Sequence, residues 1–120
     1  MLKFVELSIL YDFYGSLLTN KQQKLFELYY YEDLSLGEIS SQLNISRQAV
    51  YDNLKRAEKL LNQYEDKLNL VKKYNQHQYT IEKILGEINA IDDALVEPNN
   101  EVLHASLDQI KVLLRELQKD

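Results

Sequence analysis

Three observations make this an all-α chain. Two Ser/Thr-x-x-Glu/Gln capping signatures, Thr19-Asn20-Lys21-Gln22 and Ser35-Leu36-Gly37-Glu38, stand directly ahead of apolar residues at helical spacing. Three glycines and one proline in 120 residues are too few to punctuate a series of hairpins. No stretch alternates apolar and polar residues with a clean period of two. The predicted architecture is a three-helix helix-turn-helix head with a long recognition helix and two C-terminal helices. By position, residues 1–61 form the head with its N-terminal helix, and residues 62–120 form a helical extension continuous with it.

The stretch Ser35–Leu61 organises the head. Ser35 can cap a short helix with Glu38 as reciprocal partner, and Leu36, Ile39 and Leu43 fall on one face. Asn44 stands where the chain must turn, and Asn tolerates the left-handed conformation better than most side chains. Ile45 can plug the angle between helices, and Ser46 is a second N-cap. Val50, Leu54, Ala57 and Leu61 then line the buried side of the next helix, which gives the helix-turn-helix pattern.

The same register turns Arg47, Gln48, Tyr51, Asp52 and Lys55 outward. Arg47 and Gln48 lie at the end of the helix that enters a major groove in this motif, where Arg can pair with guanine and Gln with adenine. Lys55, Arg56 and Lys59 lie further along, suited to phosphates. The candidate nucleic-acid contacts are therefore Arg47, Gln48, Tyr51, Lys55, Arg56 and Lys59, with duplex DNA the expected partner. The same charges also fit an ordinary solvated helix face.

Composition bounds the alternatives. Hydrophobic residues make up 45%, enough for a core. The absence of cysteine excludes disulfides and thiolate metal sites. Glu6 and Asp12 interrupt the apolar N-terminus, which has no basic leader and no small-residue cleavage site. No run has the length of a membrane span, so a cytoplasmic location is expected. The net charge of −5 is unevenly spread: residues 46–60 carry four cations against two acids, whereas the segments on either side are acidic. The recognition helix is the only positive island, which gives a modest pull on a phosphate backbone unless two copies act together.

In chain order, residues 2–18 form a helix with Val5, Ile9 and Phe13 as one row, widened by Leu7, Leu10, Tyr11, Tyr14 and Leu18. That arc predicts contact with two neighbours or with a second subunit. Thr19 opens the next helix, which carries Leu25, Phe26 and Leu28 and ends near Glu32-Asp33. Tyr29, Tyr30 and Tyr31 within it point three ways and cannot all be core. The recognition helix is expected to run from Arg47 to about Tyr74, roughly 40 Å. Its seam of Val50, Leu54, Ala57, Leu61, Tyr64, Leu68 and Val71 steps by four and three. A hinge is expected at Asn75–Tyr79, with Thr80 capping a helix striped by Ile81, Ile84, Leu85, Ile88, Ile91 and Leu95. Glu97-Pro98-Asn99-Asn100 reads as a loop before a last helix using Val102, Leu103, Leu107, Ile110, Leu114 and Leu117. The surplus apolar seam predicts a homodimer.

No catalytic residues, metal ligands or cofactor are expected. His77 and His104 have no partner at ligand spacing. Glu32-Asp33 and Asp92-Asp93 are adjacent pairs that diverge on a helix. No glycine-rich phosphate loop is present.

Segments 12–19 (DFYGSLLT), 35–39 (SLGEI), 46–56 (SRQAVYDNLKR) and 63–68 (QYEDKL) resemble the YlxM family of small bacterial proteins. Residues 19–61 are also similar to the fourth region of sigma factors, which reads promoter −35 elements. The resemblance implies a sigma-region-4-like head, with Arg47, Gln48, Tyr51 and Lys55 at outward recognition positions. It also implies a regulatory or accessory role in the signal recognition particle pathway, beside whose genes YlxM-type proteins are encoded. Asp52 departs from a sigma-type reader, because an acid amid the reading face repels phosphates and could accept only from cytosine. The alternative partner is the particle's protein or RNA, bound without sequence-specific DNA contact. An acidic chain suits a basic protein surface.

Overall fold

The computed structural model describes residues 2–96 and 100–118, the side chains of Leu2, Val96 and Asn100 excepted, and among them there are only helices and turns. Helix α1 spans Leu2–Tyr14 and tightens into a 3₁₀ turn at Gly15–Leu17. Helix α2, Asn20–Phe26, runs into a π-helical turn at Glu27–Tyr31. Then come α3, Leu36–Leu43; α4, Arg47–Leu68; α5, Leu70–Val96; and α6, Asn100–Gln118. The chain divides into two compact units, Met1–Val71 and Lys72–Asp120.

Both capping boxes form. The Thr19 hydroxyl accepts from the Gln22 amide at 3.1 Å while the Gln22 side chain accepts from the Thr19 amide at 3.0 Å. Ser35 and Glu38 repeat the arrangement at 3.1 and 3.0 Å. Each box satisfies two amides that the first helical turn leaves without partners. Asn44 takes the left-handed conformation, φ 56°, and the Ser40 hydroxyl reaches across the turn to the Ile45 carbonyl at 2.5 Å. Ser46 then accepts from the Ala49 amide at 3.0 Å and starts α4.

Helix α4 is the spine of the first unit because its buried stripe serves two clusters in succession. Val50 and Leu54 pack with Leu25, Leu28 and Ile39 and lock the angle between α3 and α4. Ala57 and Leu61 pack with Leu7, Leu10, Tyr14, Leu18 and Phe26, which fixes α1 across the far end of α4. The inward row of α1 is therefore Leu7, Leu10 and Tyr14, while Val5 and Ile9, expected to share the inward arc, are exposed. A Tyr11 ring stacked on Phe26 at 4.3 Å shows why: α1 rotates to bring its aromatic edge onto α2.

Three expectations need correction. The recognition helix stops at Leu68, where Asn69 adopts φ 55° and its amide closes on the Glu65 carbonyl. A single Asn can end a helix because its penalty in the left-handed region is small. The break is stabilised by tertiary contacts: the Tyr14 hydroxyl donates to Glu65 at 2.5 Å and accepts the Leu70 amide at 3.1 Å, and Glu65 accepts the Val71 amide at 3.1 Å. The seam is therefore interrupted: Leu61 is fully buried and Tyr64 partly so, Leu68 is exposed, and Val71, beyond the break, packs on the same cluster as Tyr64. Second, the hinge at Asn75–Tyr79 is helical: α5 passes through it, and Thr80, far from capping a helix, donates its hydroxyl to the Gln76 carbonyl at 3.1 Å. Third, the shielded side of α6 runs through Leu103, Ser106, Ile110 and Leu113, leaving Val102, Leu107 and Leu114 exposed. Of the loop expected at Glu97–Asn100, residues 97–99 lie outside the described residues, and Asn100 is the first residue of α6.

Candidate nucleic-acid interface

All six candidate side chains are exposed on α4, outside its buried stripe of Val50, Leu54, Ala57 and Leu61; Gln48, Lys55 and Lys59 lie across the helix from the stripe, and Arg47 and Tyr51 flank it. Their surroundings differ. Arg47 folds back over the first turn of α3. A Cβ added to Gly37 would sit 3.0 Å from its Nη2, so the absence of a side chain at Gly37 makes room for the guanidinium. Gln48 donates to Asp52 at 2.9 Å, one helical turn on. Lys55 lies 3.4 Å from the Glu58 carboxylate and 5.5 Å from the centre of the Tyr51 ring, a cation–π geometry. Arg56 and Lys59 are exposed.

Glu58 is the residue that sequence reasoning missed. It is 7% exposed, and its carboxylate receives the Tyr30 hydroxyl and the ammonium groups of Lys55 and Lys3, the last at 3.9 Å. Its position carried a signal: residue 58 directly follows Ala57 and precedes Leu61 by three, on the shoulder of the buried stripe. Lys3 and Phe4 gave no such signal, because their approach depends on how α1 crosses α4. The π-helical turn was also unforeseen. Its wider hydrogen bond, Glu32 amide to Glu27 carbonyl at 3.0 Å, rotates Tyr30 inward while Tyr29 and Tyr31 stay 37% and 46% exposed. The one-in, two-out division of the three tyrosines follows from that turn. Burial first, and then the bond to Glu58, raise the Tyr30 phenol well above its usual pKa of 10.0.

Among the described residues no three His, Asp or Glu side chains converge as a metal site, and no helix is long and apolar enough to cross a membrane.

Two capping boxes, a left-handed Asn between α3 and α4, and an exposed polar face on the second of these helices define a helix-turn-helix protein. The chain belongs to the UPF0122 family: the model described as "Putative helix-turn-helix protein, YlxM / p13 like" matches residues 1–101. A UPF0122 protein of Caldanaerobacter subterraneus subsp. tengcongensis is 60% identical over 81 residues, 68% of this chain and 69% of that one. One from Desulforamulus reducens is 49% identical over 92 residues, covering 77% and 79% respectively. One from Geobacillus kaustophilus is 51% identical over 87 residues, covering 72% and 79%.

Proposed function

We propose that this is a non-enzymatic, cytoplasmic regulatory protein that binds duplex DNA through α4. The observation carrying this reading is the division of α4 into a stripe buried at Val50, Leu54, Ala57 and Leu61 and an exposed remainder offering Arg47, Gln48, Tyr51, Lys55, Arg56 and Lys59. A helix held in this way can present its N-terminal turns to a groove and its later cations to the backbone. The resemblance to YlxM proteins extends the reading to regulation of the signal recognition particle pathway. Binding to labelled duplexes, including the chain's own upstream region, is expected to weaken steeply with salt and to be lost in Arg47→Ala/Lys55→Ala. The absence of any complex at low salt would end this reading.

A homodimer belongs to the same proposal. Its support is no longer the Val50–Val71 seam, most of which the first unit itself covers, but the exposed Ile81, Leu85, Ile88 and Leu95 on one side of α5. These recur at steps of four, three and seven, a heptad strip that association would shield. Light scattering that reports a monomer at micromolar concentration would contradict it.

One observation favours a second reading, an accessory factor that contacts the particle's protein or RNA without reading DNA sequence. Asp52 and Glu58 hold Gln48 and Lys55, so two of the six candidate contacts are engaged within the chain. Separate pull-downs with the particle's GTPase and with its RNA test this reading; retention by neither removes it.

A further inference from the structure

A cleft of about 350 Å³ opens beside α4, between the start of α1, the π-helical turn and the start of α3. Its walls carry the rings of Phe4, Tyr29 and Tyr51, each more than a third exposed, above a floor formed by Leu54. Lys3 and Lys55 stand at its edge, and both also line an adjoining cleft that continues along α4 to Lys59 and Asn62 and carries one exposed acid, Glu6. The two clefts share Glu58, whose carboxylate is already engaged by Tyr30, Lys3 and Lys55. A third cleft shares Phe4 and Tyr29 and is lined by Asp33 and Glu38. The groove therefore has an aromatic middle, one end where Lys3, Lys55 and Lys59 outnumber Glu6 and Glu58, and one end with acids and no cation.

We propose that the aromatic cleft takes one unpaired nucleobase, with the adjoining phosphates lying over Lys3, Lys55 and Lys59. Aromatic rings flanked by ammonium groups are the chemistry of single-strand recognition. A base offers a π-face to the rings, while its backbone offers charge to the lysines. A paired base cannot reach the cleft, because its faces are covered by its neighbours in the stack. The acidic end sets the polarity: the strand leaves toward Lys59, since Asp33 and Glu38 repel it on the other side. Tyr51 and Lys55 belong both to the cleft and to the outward face of α4, so an extruded or bulged base next to a docked duplex enters without the duplex moving. This inference rests on the proposed nucleic-acid role of α4 and adds to it a ligand class, a helix carrying an unpaired nucleotide.

The test compares a fully paired duplex with the same duplex carrying a single bulged 2-aminopurine, in DNA and RNA forms, against the full chain. The bulged form is expected to bind roughly 5- to 140-fold tighter, the range of one base stacked on aromatic side chains, with the fluorophore quenched on binding. Tyr29→Leu, at an exposed position outside the six duplex-contact candidates, should reduce that preference while leaving paired-duplex binding within about twofold and helical content unchanged; Tyr51→Leu, on the duplex face itself, should reduce the preference as well. Preference in the DNA arm alone or the RNA arm alone identifies the natural source and supports the proposal. Equal binding of paired and bulged forms overturns it and leaves the role of α4 intact, as does a preference that survives both substitutions. Failure of every oligonucleotide to bind ends the nucleic-acid reading itself; saturable binding of an Asp- and Phe-rich peptide in the same cleft would then identify a protein ligand instead.

Discussion

The Tyr30 hydroxyl, turned inward by a π-helical segment, donates to the buried Glu58 carboxylate on α4, and Glu58 in turn holds Lys55 of the exposed face. A partly buried aromatic and a surface cation are thus joined through one acid. The stability and the surface chemistry of α4 are coupled at that point.

Tyr30→Phe keeps the ring but removes the donor from Glu58. Leaving a buried acceptor short of a partner costs about 1–3 kcal/mol, measurable by urea unfolding at neutral pH. The pH dependence has a definite sign. The Tyr30 pKa is raised in the folded chain, so its contribution is complete below the unfolded value of 10.0 and is lost as pH rises through the folded value. The gap between wild type and Tyr30→Phe should therefore narrow in strongly alkaline solution. Tyr11, raised to about 12 by burial and then by its bond to Glu27, limits the same range and is unchanged in the variant. A gap that stays constant into strong alkali would show that the Tyr30–Glu58 bond is not formed in solution.

Leu54 is 4% exposed and packs in the cluster that sets the angle between α3 and α4. Leu54→Ala is expected to cost about 2–5 kcal/mol by chemical denaturation. A loss below about 1 kcal/mol would place Leu54 outside the core, and the assignment of the exposed face would then fail as well.

The head was legible because its signals are local. The capping boxes at Thr19 and Ser35, the left-handed Asn44 and the Val50–Leu61 stripe each depend on residues within one or two turns. What was not legible depends on contacts across the chain. Asn69 ends α4 where Tyr14, 55 positions earlier, supplies partners for the next helix. Glu58 is buried because Tyr30 and Lys3 come to it from other elements. The same holds for the candidate site. Sequence placed the six side chains on α4, where the Gln48–Asp52 and Lys55–Glu58 pairs lie within one turn, but the seating of Arg47 over Gly37 and the approach of Lys3 to Glu58 emerged only from packing between elements.

Asn69 offers a direct test of the helix break. At φ 55°, a residue with a Cβ and no special tolerance is strained by roughly 1–2 kcal/mol, whereas Gly is not. Asn69→Ala should lower stability by about 1 kcal/mol, and Asn69→Gly should leave it nearly unchanged. If Asn69→Ala is instead stabilising, as alanine is within a continuous helix, then α4 runs on into α5 in solution.

Glu38 reports on the α3 cap. The Ser35 amide, followed by the Ser35 hydroxyl, holds its carboxyl below the ordinary value of 4.5. A depressed carboxyl contributes stability that is present above the unfolded pKa and lost as pH falls through the folded one. Glu38→Gln keeps an acceptor for the Ser35 amide, as Gln22 does for Thr19, but cannot titrate. Its thermal midpoint should fall less than that of wild type between neutral pH and pH 3. Parallel acid limbs would mean that the Glu38 bond contributes nothing in solution.

Asp52 is the residue on α4 whose charge opposes the proposed function most directly. It accepts Gln48 at 2.9 Å and puts a negative charge in the centre of the face. Asp52→Asn retains an oxygen for Gln48 while removing that charge, so the change isolates electrostatics from side-chain positioning. If phosphates lie over this face, duplex affinity should rise about two- to fivefold at low salt, the size of one exposed charge interaction, and the gain should fade as salt shortens the screening length. Asp52→Ala, which also releases Gln48, should match it if Gln48 contacts no base and differ between duplex sequences if it does. Fluorescence anisotropy at two ionic strengths separates these outcomes, and an Asp52→Asn affinity equal to wild type at low salt would place the phosphate backbone away from Asp52.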